Sequence, residues 1–394
     1  MEKVKIILPY FLCYMILFST VVMVEYYSNI IFERFVVKFN PSKPYTVGLE
    51  LEVQLVDSFT FELTEKSFVL FDKASEKLSS VLHKEFLQSM VEIVSPPCNS
   101  SKEATNILRE AYEEVKKIGE EEGFYPLLLG THPFADPCEI RITKDKRYER
   151  LLKEFQIVLK NFLIFGLHIH VGVESERELW EAFNMTLKYL PLFIALSSSS
   201  PFYKGRFTGL HSYRLKIFEQ LPRAGVPEQF FSTEEFEGMF NVLKNSGFVE
   251  SLKDIWWDVR PRPDYGTIEL RVCDSIPDFN RIEAIADFFR LLVAWSKDKK
   301  MGRFYHQVVK QNRWNAVRHG LEGMFIDADG VENINSRIHG LVEEFDREGL
   351  IERLGIRVDN LYNVLSGFPI SYRMVEAYKK GESIRKLAKF GLAE

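Results

Sequence analysis

Four stretches of this chain alternate apolar and polar residues, and such alternation is typical of β-strands that bury one face. A strand directs every second side chain to the same side, so residues two positions apart lie roughly 6.5 Å from each other on one face of a sheet. The polar positions of the four stretches include Glu50 and Glu52, Glu92, His168 and His170, and Glu269 and Arg271. We therefore expect carboxylates, imidazoles and a guanidinium to gather on one face.

The apolar positions of the same stretches predict the face that packs against the core. They are Val47, Leu49, Leu51, Val53 and Leu55 in residues 46–57, Leu167, Ile169, Val171 and Val173 in residues 167–173, and Ile268, Leu270 and Val272 in residues 266–274. An antiparallel sheet with one buried face and one open face produces this pattern. The carboxylate, imidazole and guanidinium side chains should then lie on the open face.

Three longer segments predict helices. Residues 101–123 carry an apolar stripe at helical spacing, with Ser101 as the expected cap. Residues 176–196 predict a second helix, which Pro191 could interrupt, and residues 281–297 predict a third. Most of the chain after them is also expected to be helical. Together these elements predict an α+β fold, with helices packed on one face of an antiparallel sheet.

A single acidic pair on a strand is usually a solvated surface, so Glu50 and Glu52 alone would carry little weight. Several strands with such residues on the same face are different, because like charges that line one face repel each other. A cation bound between them offsets this repulsion. The set therefore predicts one or more divalent cations, with an anionic substrate beside them.

Three further stretches offer polar groups that could bind an anion. Residues 257–263 contain Arg260, residues 196–214 form a serine-rich and glycine-rich loop that ends in Arg214, and residues 312–320 begin with Asn312 and end with cations. The planar guanidinium of arginine suits phosphate and carboxylate groups, to which it can donate two parallel hydrogen bonds. Exposed arginines and ordinary surface loops would have the same composition, so these stretches carry less weight than the strands.

Composition narrows the class of protein. A chain of 394 residues with 46% hydrophobic and 14% aromatic residues can bury a sizeable core. Its 51 Lys and Arg against 56 Asp and Glu give a net charge of -5, so no nucleic-acid partner is indicated. The cysteines Cys13, Cys98, Cys138 and Cys273 are widely spaced, which favours reduced thiols in a cytoplasm.

The N-terminal segment conflicts with that compartment. Residues 6–24 contain no charged residue, and Lys3 and Lys5 precede them as in a signal anchor. Their length approaches the roughly 20 residues that cross a bilayer. The segment could be a membrane anchor, a helix packed on the domain or on a partner subunit of a homo-oligomer, or the product of a start codon placed too early, with initiation at Met15 or Met23.

These alternatives give a simple expectation for the domains and the location. Residues 1–44 are predicted to be an apolar leader, and residues 45–394 a catalytic domain with a helical C-terminal part. We favour a cytoplasmic protein, in keeping with the scattered cysteines, with anchoring through residues 6–24 as the alternative.

Seven stretches with conspicuous motifs follow one another along the chain. They are TVGLELEVQLVD, QSMVEIVSPP with Glu85 just ahead of it, GTHPFADP, FGLHIHVGV, LSSSSPFYKGRFTGLHSYR, WWDVRPRPDYGTIELRVCD and NRWNAVRHG. In this order and spacing, from about Thr46 to Gly320, they resemble the carboxylate-amine ligases of the glutamate-cysteine ligase type 2 family. The resemblance implies a glutamine synthetase-like catalytic fold, in which helices lie behind a curved antiparallel sheet.

The resemblance also implies a mechanism. ATP phosphorylates the substrate carboxylate to give an acyl phosphate, which an amine then attacks. Metal ions bridge the phosphates, and Mg²⁺ or Mn²⁺ suits a carboxylate-rich site better than Zn²⁺ does. The positions that match the family's metal ligands are Glu50, Glu52, Glu85, Glu92, His168 and Glu269.

The remaining polar groups are expected to contact anions. The resemblance implies catalytic roles for Arg260 and Arg271, and ATP or substrate binding by His170, Arg214 and Asn312. Glutamate and cysteine are the implied substrates, which would place the enzyme in glutathione biosynthesis. Two other hypotheses suit the same residues, namely a metal-dependent hydrolase, whose site activates water, and a non-catalytic module that binds a metal or nucleotide.

Overall fold

The structure is a computed structural model that describes residues 35–137, 141–328 and 330–393. Its strands are β1 (Val47–Asp57), β2 (Leu82–Lys84), β3 (Met90–Val94), β4 (Phe124–Leu127), β5 (Gly166–Gly172), β6 (Phe202–Tyr203), β7 (Arg206–Phe207), β8 (Ala224–Gly225), β9 (Trp256–Trp257), β10 (Val259–Arg262), β11 (Thr267–Asp274), β12 (Met324–Asp327) and β13 (Gly330–Asn333). Within these residues, seven strands form one antiparallel sheet in the order β10-β11-β5-β1-β3-β2, with β4 also paired to β1.

The described residues also form fourteen α-helices. They are α1 (Ser67–Lys73), α2 (Glu76–Ser79), α3 (Ser101–Glu122), α4 (Lys146–Lys160), α5 (Glu176–Ser197), α6 (Arg214–Phe218), α7 (Thr233–Asn245), α8 (Phe279–Ser296), α9 (His306–His319), α10 (Ile334–Arg347), α11 (Leu350–Arg353), α12 (Val358–Leu365), α13 (Ile370–Lys379) and α14 (Ile384–Leu387). Short 3-10 helices lie at Leu252–Asp254, Gly320–Glu322 and Ala388–Gly391.

One face of the sheet packs against the core, as the alternation predicts. Leu49 and Leu51 on β1 are fully buried, as is Ile169 on β5. They belong to one apolar cluster with residues of α3, α5 and α8, including Leu108 and Phe289. Burial of this face leaves the opposite face, with its charged residues, free to form a site. The predicted α+β arrangement, with helices covering one face of an antiparallel sheet, is confirmed.

Two details of the predicted helices are wrong. The cap of α3 is Ser100, whose hydroxyl accepts a hydrogen bond from the Glu103 backbone N–H, and Ser101 is the first helical residue. Helix α5 also continues through Pro191 without interruption. Proline removes one backbone hydrogen bond there, but Pro191 and its neighbours Leu190 and Leu192 are buried, so packing on the core stabilises the helix.

Residues 35–44 of the predicted leader contact the rest of the domain. The Val37 backbone N–H donates to Glu237 Oε1 at 2.6 Å, and that of Asn40 donates to the Pro263 carbonyl at 2.9 Å. The segment 6–24 lies outside the described residues. No helix in the described part of the chain is long and apolar enough to cross a membrane. The boundary between leader and catalytic domain stays a prediction.

The two cysteines in the described ranges are free thiols. Cys98 and Cys273 are both buried, and burial raises the pKa of each thiol. Cys13 and Cys138 lie outside the described residues.

Candidate active site

The register of the sheet brings the predicted residues together. Glu50 on β1 lies opposite His168 on β5, and Glu52 lies opposite Glu92 on β3. On the other side of β5, His170 lies opposite Glu269 on β11. Since side chains of directly opposed residues share one face, the four strands present these groups on the open side of the sheet.

Glu50 lies between the two histidines. Its Oε2 is 3.1 Å from His168 Nδ1, and its Oε1 is 3.2 Å from His170 Nε2. Burial raises the pKa of Glu50, but hydrogen bonds with His168 and His170 outweigh burial and hold the pKa well below its usual value. Burial and the nearby Arg271 lower the pKa of His168 to about 4, so His168 is neutral at physiological pH. A neutral imidazole is the form that binds metal ions.

Glu52, Glu85 and Glu92 form an acidic group in which burial and mutual repulsion outweigh the attraction of nearby arginines. Burial raises the pKa of Glu52 to about 7, because the attraction of Arg214 does not offset burial together with the repulsion from Glu85. Burial and repulsion from Glu85, Glu50 and Glu52 raise the pKa of Glu92 further above its usual value. Burial is also the main reason that the pKa of Glu85 is raised. A bound cation would offset this repulsion and favour the ionised carboxylates.

The donor atoms suit a divalent cation. Glu50, Glu92 and His168 can each place one ligand atom within 4.8 Å of the others, as can Glu50, His170 and Glu269. The Nε2 atom of His168 is buried and has no hydrogen-bond partner among the described residues. Oxygen-rich sets with one imidazole are typical of Mg²⁺ or Mn²⁺ sites. The residues present therefore fit the predicted metal, and Glu50 belongs to both sets.

Glu269 is held by arginines in this structure. Arg260 donates to both of its carboxylate oxygens, at 2.7 and 2.8 Å, and Arg271 donates to Oε1. Arg262 Nη1 lies 3.7 Å from Oε2. Burial opposes ionisation of Glu269, but the charges of Arg260 and Arg271 outweigh it and keep the pKa well below its usual value. A metal ion bound to Glu269 would have to share it with these guanidinium groups.

Arg214 also lines the site. It is 2% exposed, and its Nη1 donates to the Arg271 carbonyl at 3.1 Å. Its guanidinium passes so close to Gly166 that a Cβ on that glycine would lie 2.2 Å from Nη2. The Nε atom of Arg214 has no hydrogen-bond partner in the described part of the chain. The absence of a side chain at Gly166 therefore makes the position of Arg214 possible.

Buried serines hold the start of α6, where Arg214 lies. The Ser200 hydroxyl accepts a hydrogen bond from the Arg214 backbone N–H at 3.1 Å and donates to Asp274 Oδ2 at 2.7 Å. Ser212 donates to the other oxygen of Asp274 at 2.9 Å. The serine-rich loop therefore contributes to the site by fixing an arginine in place.

These groups surround one cavity with a volume of about 370 Å³. Its polar lining combines the acidic group, His168 and several arginines, among them Arg214, Arg260 and Arg271. The rest of its wall is apolar and aromatic, with Phe86, Tyr148, Leu151, Phe162 and Trp256 among the lining residues. Sites for small molecules have this size and this mixture of apolar walls with a few convergent polar groups.

The structure brings together ten of the eleven predicted site residues and leaves Asn312 out. His170 and Glu269 contact residues of the cavity lining, whereas Asn312 exchanges two hydrogen bonds with the Ile326 backbone, at 2.7 and 2.8 Å. The expectation that Asn312 binds ATP or substrate is not supported, because its amide is already used to tie α9 to β12.

Three cationic residues of the lining were missed, namely Arg147, Lys253 and Arg262. Arg262 could have been found, since it lies two residues after Arg260 on β10 and so shares its face. Arg147 and Lys253 belong to α4 and to a 3-10 helix. No spacing in the sequence relates those elements to the sheet.

Comparison with known proteins agrees with this geometry. Residues 46–352 match the model of glutamate-cysteine ligase family 2. A Frankia alni protein provisionally named glutamate-cysteine ligase 2-1 is 35% identical over 320 residues, which cover 78% of this chain and 84% of that protein. A Roseiflexus castenholzii protein provisionally named glutamate-cysteine ligase 2 is 32% identical over 350 residues, covering 86% and 92%.

Two solved structures share the fold at low sequence identity. A bifunctional glutathione synthetase from Pasteurella multocida superposes with a TM-score of 0.65 at 16% identity, over 88% of this chain; the chain spans about half of that protein's length, 52%. A glutamate-cysteine ligase from Francisella tularensis, solved in complex with AMP, gives a TM-score of 0.59 at 14% identity, over 90% and 89% of the two chains. The chain belongs to glutamate-cysteine ligase family 2, which confirms the predicted class of ATP-dependent ligase that forms a carbon-nitrogen bond.

Proposed function

We propose that the protein joins a small carboxylate to an amine through an acyl phosphate, with glutamate and cysteine as the candidate pair and Mg²⁺ or Mn²⁺ as the metal. One observation carries this proposal. A group of half-buried carboxylates with raised pKa values and a group of arginines line the same cavity. A magnesium–nucleotide complex together with a second anion has the charge pattern that such a cavity would complement.

In the first step, an oxygen of the substrate carboxylate attacks the γ-phosphorus of ATP, and the bond to the ADP oxygen breaks. Glu50, Glu52, Glu85, Glu92 and His168 would hold the metal, which neutralises charge on the transferring phosphoryl group when bound. Arg260 and Arg271 lie beside this set and would stabilise the negative charge that spreads over the phosphoryl oxygens. Glu269 would orient both arginines in addition to any contact with the metal.

In the second step, the amine nitrogen attacks the acyl carbon, the carbon-oxygen bond to phosphate breaks, and the nitrogen loses a proton. Arg214 would hold a carboxylate of the substrate, because its buried guanidinium retains a donor, Nε, without a partner among the described residues. Closure by the apolar wall around Trp256 would exclude water, which would otherwise hydrolyse the acyl phosphate. No covalent bond to the protein is required.

The arginines also favour a ligase over the alternatives. A metal-dependent hydrolase needs a metal-bound water but no guanidinium cluster beside it. A non-catalytic module needs no separate group for a second anion. Consumption of ATP further supports the predicted cytoplasmic location, because the site requires a nucleotide supply.

Transfer of labelled oxygen tests the proposal. The purified protein is given ATP, Mg²⁺ and a panel of amines and carboxylates, each carboxylate labelled with ¹⁸O. An acyl phosphate route transfers one ¹⁸O into the released inorganic phosphate for the productive pair. Turnover of ATP without this transfer would contradict the mechanism, and hydrolysis of an added amide or ester with Zn²⁺ and no ATP would favour the hydrolase.

A further inference from the structure

A second cavity, of about 540 Å³, shares no lining residue with the candidate active site. Its walls are formed by Arg109 on α3, by the start of α8 with the loop before it, and by the C-terminal segment from Phe368 onward. Its volume lies within the range of sites for small molecules. None of the functions described above uses it.

The charge of this cavity is strongly one-sided. Four cationic side chains line it, Arg109, Arg281, Arg373 and Lys389, against the single carboxylate of Asp278. The whole chain carries a net charge of -5, so this positive excess is local. A cavity with an excess of one sign concentrates ligands of the opposite sign.

Three of the four cations have no carboxylate partner in the described part of the chain. Arg109 donates to the Asn280 side-chain oxygen at 3.1 Å, a neutral acceptor. Arg373 and Lys389 are exposed at the surface of α13 and of the 3-10 helix that follows α14, and each lies over an aromatic ring. By contrast, the smaller cavity that contains Arg150 and Arg223 also contains three acidic residues.

The fourth cation, Arg281, is the residue that most directly indicates a ligand. It is 6% exposed, and its Nη2 donates to the Gly367 carbonyl at 2.8 Å. Its Nη1 is buried and has no hydrogen-bond partner among the described residues. Asp278 approaches Arg281 Nε only to 4.0 Å, because it caps α8 by accepting from the Arg281 backbone N–H. Burial consequently lowers the pKa of Arg281.

Aromatic rings also line this cavity and offer surfaces on which a flat ligand could stack. The guanidinium of Arg109 lies over Phe279 at 5.3 Å, and that of Arg373 lies over Phe390 at 5.4 Å. Both rings line the cavity, as does Phe368, which is 59% exposed. A ligand with a flat apolar part could stack among these rings, while its anionic group contacts the guanidinium groups.

We propose that this cavity binds a small organic phosphate with a flat ring, at a site separate from the active site. Phosphate matches the guanidinium groups of the lining, each of which can donate two parallel hydrogen bonds to its oxygens. The inference goes beyond the proposed function and does not depend on it, since binding can be measured without ATP, metal or turnover.

Calorimetric titration with phenyl phosphate, in EDTA and without ATP, tests the site. We expect saturable binding to the wild-type protein, with no comparable binding of phenol. The double variant Arg373→Glu and Lys389→Glu should weaken binding at least about tenfold, because it reverses two charges of the lining. Both residues are exposed, so the variant should fold, and its circular dichroism and unfolding temperature verify that it does.

Two control variants make the result specific. Lys386→Glu makes the same charge reversal at an exposed lysine outside the cavity and should bind like the wild type. Arg271→Ala should also retain binding, since Arg271 belongs to the active site. The proposal is overturned if phenyl phosphate does not bind at millimolar concentrations, if the double reversal binds as well as Lys386→Glu, or if Arg271→Ala abolishes binding.

Discussion

The Nδ1 atom of His168 lies 3.1 Å from Oε2 of Glu50, across the pair of strands β1 and β5. Since Glu50 remains ionised, it must accept this hydrogen bond, and Nδ1 of His168 must carry the proton. The lone pair of His168 is then on Nε2, the atom that has no partner among the described residues. A histidine oriented in this way by a carboxylate is typical of metal sites. In the proposed metal site, Glu50 would therefore orient His168 toward the ion, besides offering an oxygen of its own.

Glu50→Gln should impair metal binding for this reason. The neutral amide removes a ligand charge and no longer fixes the His168 tautomer. We expect the Mg²⁺ concentration for half-maximal turnover to rise by about 10- to 100-fold. Titration of Mg²⁺ at saturating ATP measures the effect, with Glu120→Gln, an exposed position on α3, as the control. An unchanged Mg²⁺ requirement would remove Glu50 from the metal site.

Glu52 should destabilise the metal-free protein more as the pH rises. Its pKa is raised from 4.5 to about 7 by burial and by Glu85, so the folded state holds a proton that the unfolded state has released. The stability associated with that proton is present below pH 4.5 and is lost as the pH rises through about 7. His168 acts in the opposite direction, because its pKa is lowered to about 4 and the unfolded state takes up its proton first.

The difference between wild type and Glu52→Gln isolates the Glu52 contribution. In EDTA, the variant should gain stability relative to the wild type between pH 4.5 and 7, by at most about 3 kcal/mol for this shift. The same variant should lose Mg²⁺-dependent turnover. Calorimetric unfolding at several pH values measures the gain. A stability difference that does not vary with pH would mean that Glu52 ionises normally.

Arg271→Lys should lower turnover by at least about tenfold. Lysine keeps the charge but loses the planar fork that reaches Glu269 and, in the proposed mechanism, a phosphoryl oxygen. Loss of one charge-assisted hydrogen bond costs on the order of 1.5–3 kcal/mol. The comparison is Arg385→Lys, whose arginine pairs with Glu62 at the surface. Equal rates for Arg271→Lys and wild type would place Arg271 outside the reaction.

Alternation along the strands was sufficient to predict which side chains share a face. Glu50 and Glu52, His168 and His170 all lie on the open side, because a two-residue period leaves no other choice once the apolar face is buried. Pairing within that face was not predictable. The bidentate contact between Arg260 and Glu269 depends on the register of β10 against β11, which short-range pattern does not determine.

The positions of residues outside the sheet were harder still to predict from the sequence. Asn312 had a suitable side chain and a suitable family motif, yet its amide bonds the Ile326 backbone. Arg147 and Lys253 line the cavity from α4 and from a 3-10 helix, two elements outside the sheet, and the Arg147 guanidinium donates to the Lys253 carbonyl at 3.0 Å. Tertiary packing of this kind depends on many distant contacts and leaves no periodic trace in the sequence.

Removal of residues 1–34 should leave turnover unchanged, because every proposed ligand lies after residue 45. Removal of residues 1–37 would also delete contacts with the rest of the domain, which the sequence alone does not reveal. Val37 is 8% exposed and donates to Glu237, and the Phe35 backbone N–H donates to Asn241 at 2.7 Å. We therefore expect the longer deletion to lower the unfolding temperature. Turnover and thermal unfolding of the two truncated proteins check both expectations.

Gly166→Ala should displace Arg214 and keep the Gly166 backbone N–H, which donates to Glu52. The new Cβ would lie 2.2 Å from Arg214 Nη2, so the guanidinium has to move away from the position in which, in the proposed mechanism, it would hold the substrate carboxylate. We expect the KM for the carboxylate substrate to rise by about tenfold or more, with the Mg²⁺ requirement unchanged. Gly238→Ala, on α7 with no heavy atom within 4 Å of the new Cβ, is the matched control. Steady-state kinetics with varied carboxylate distinguish the outcomes, and a KM equal to that of Gly238→Ala would show that Arg214 does not bind this substrate.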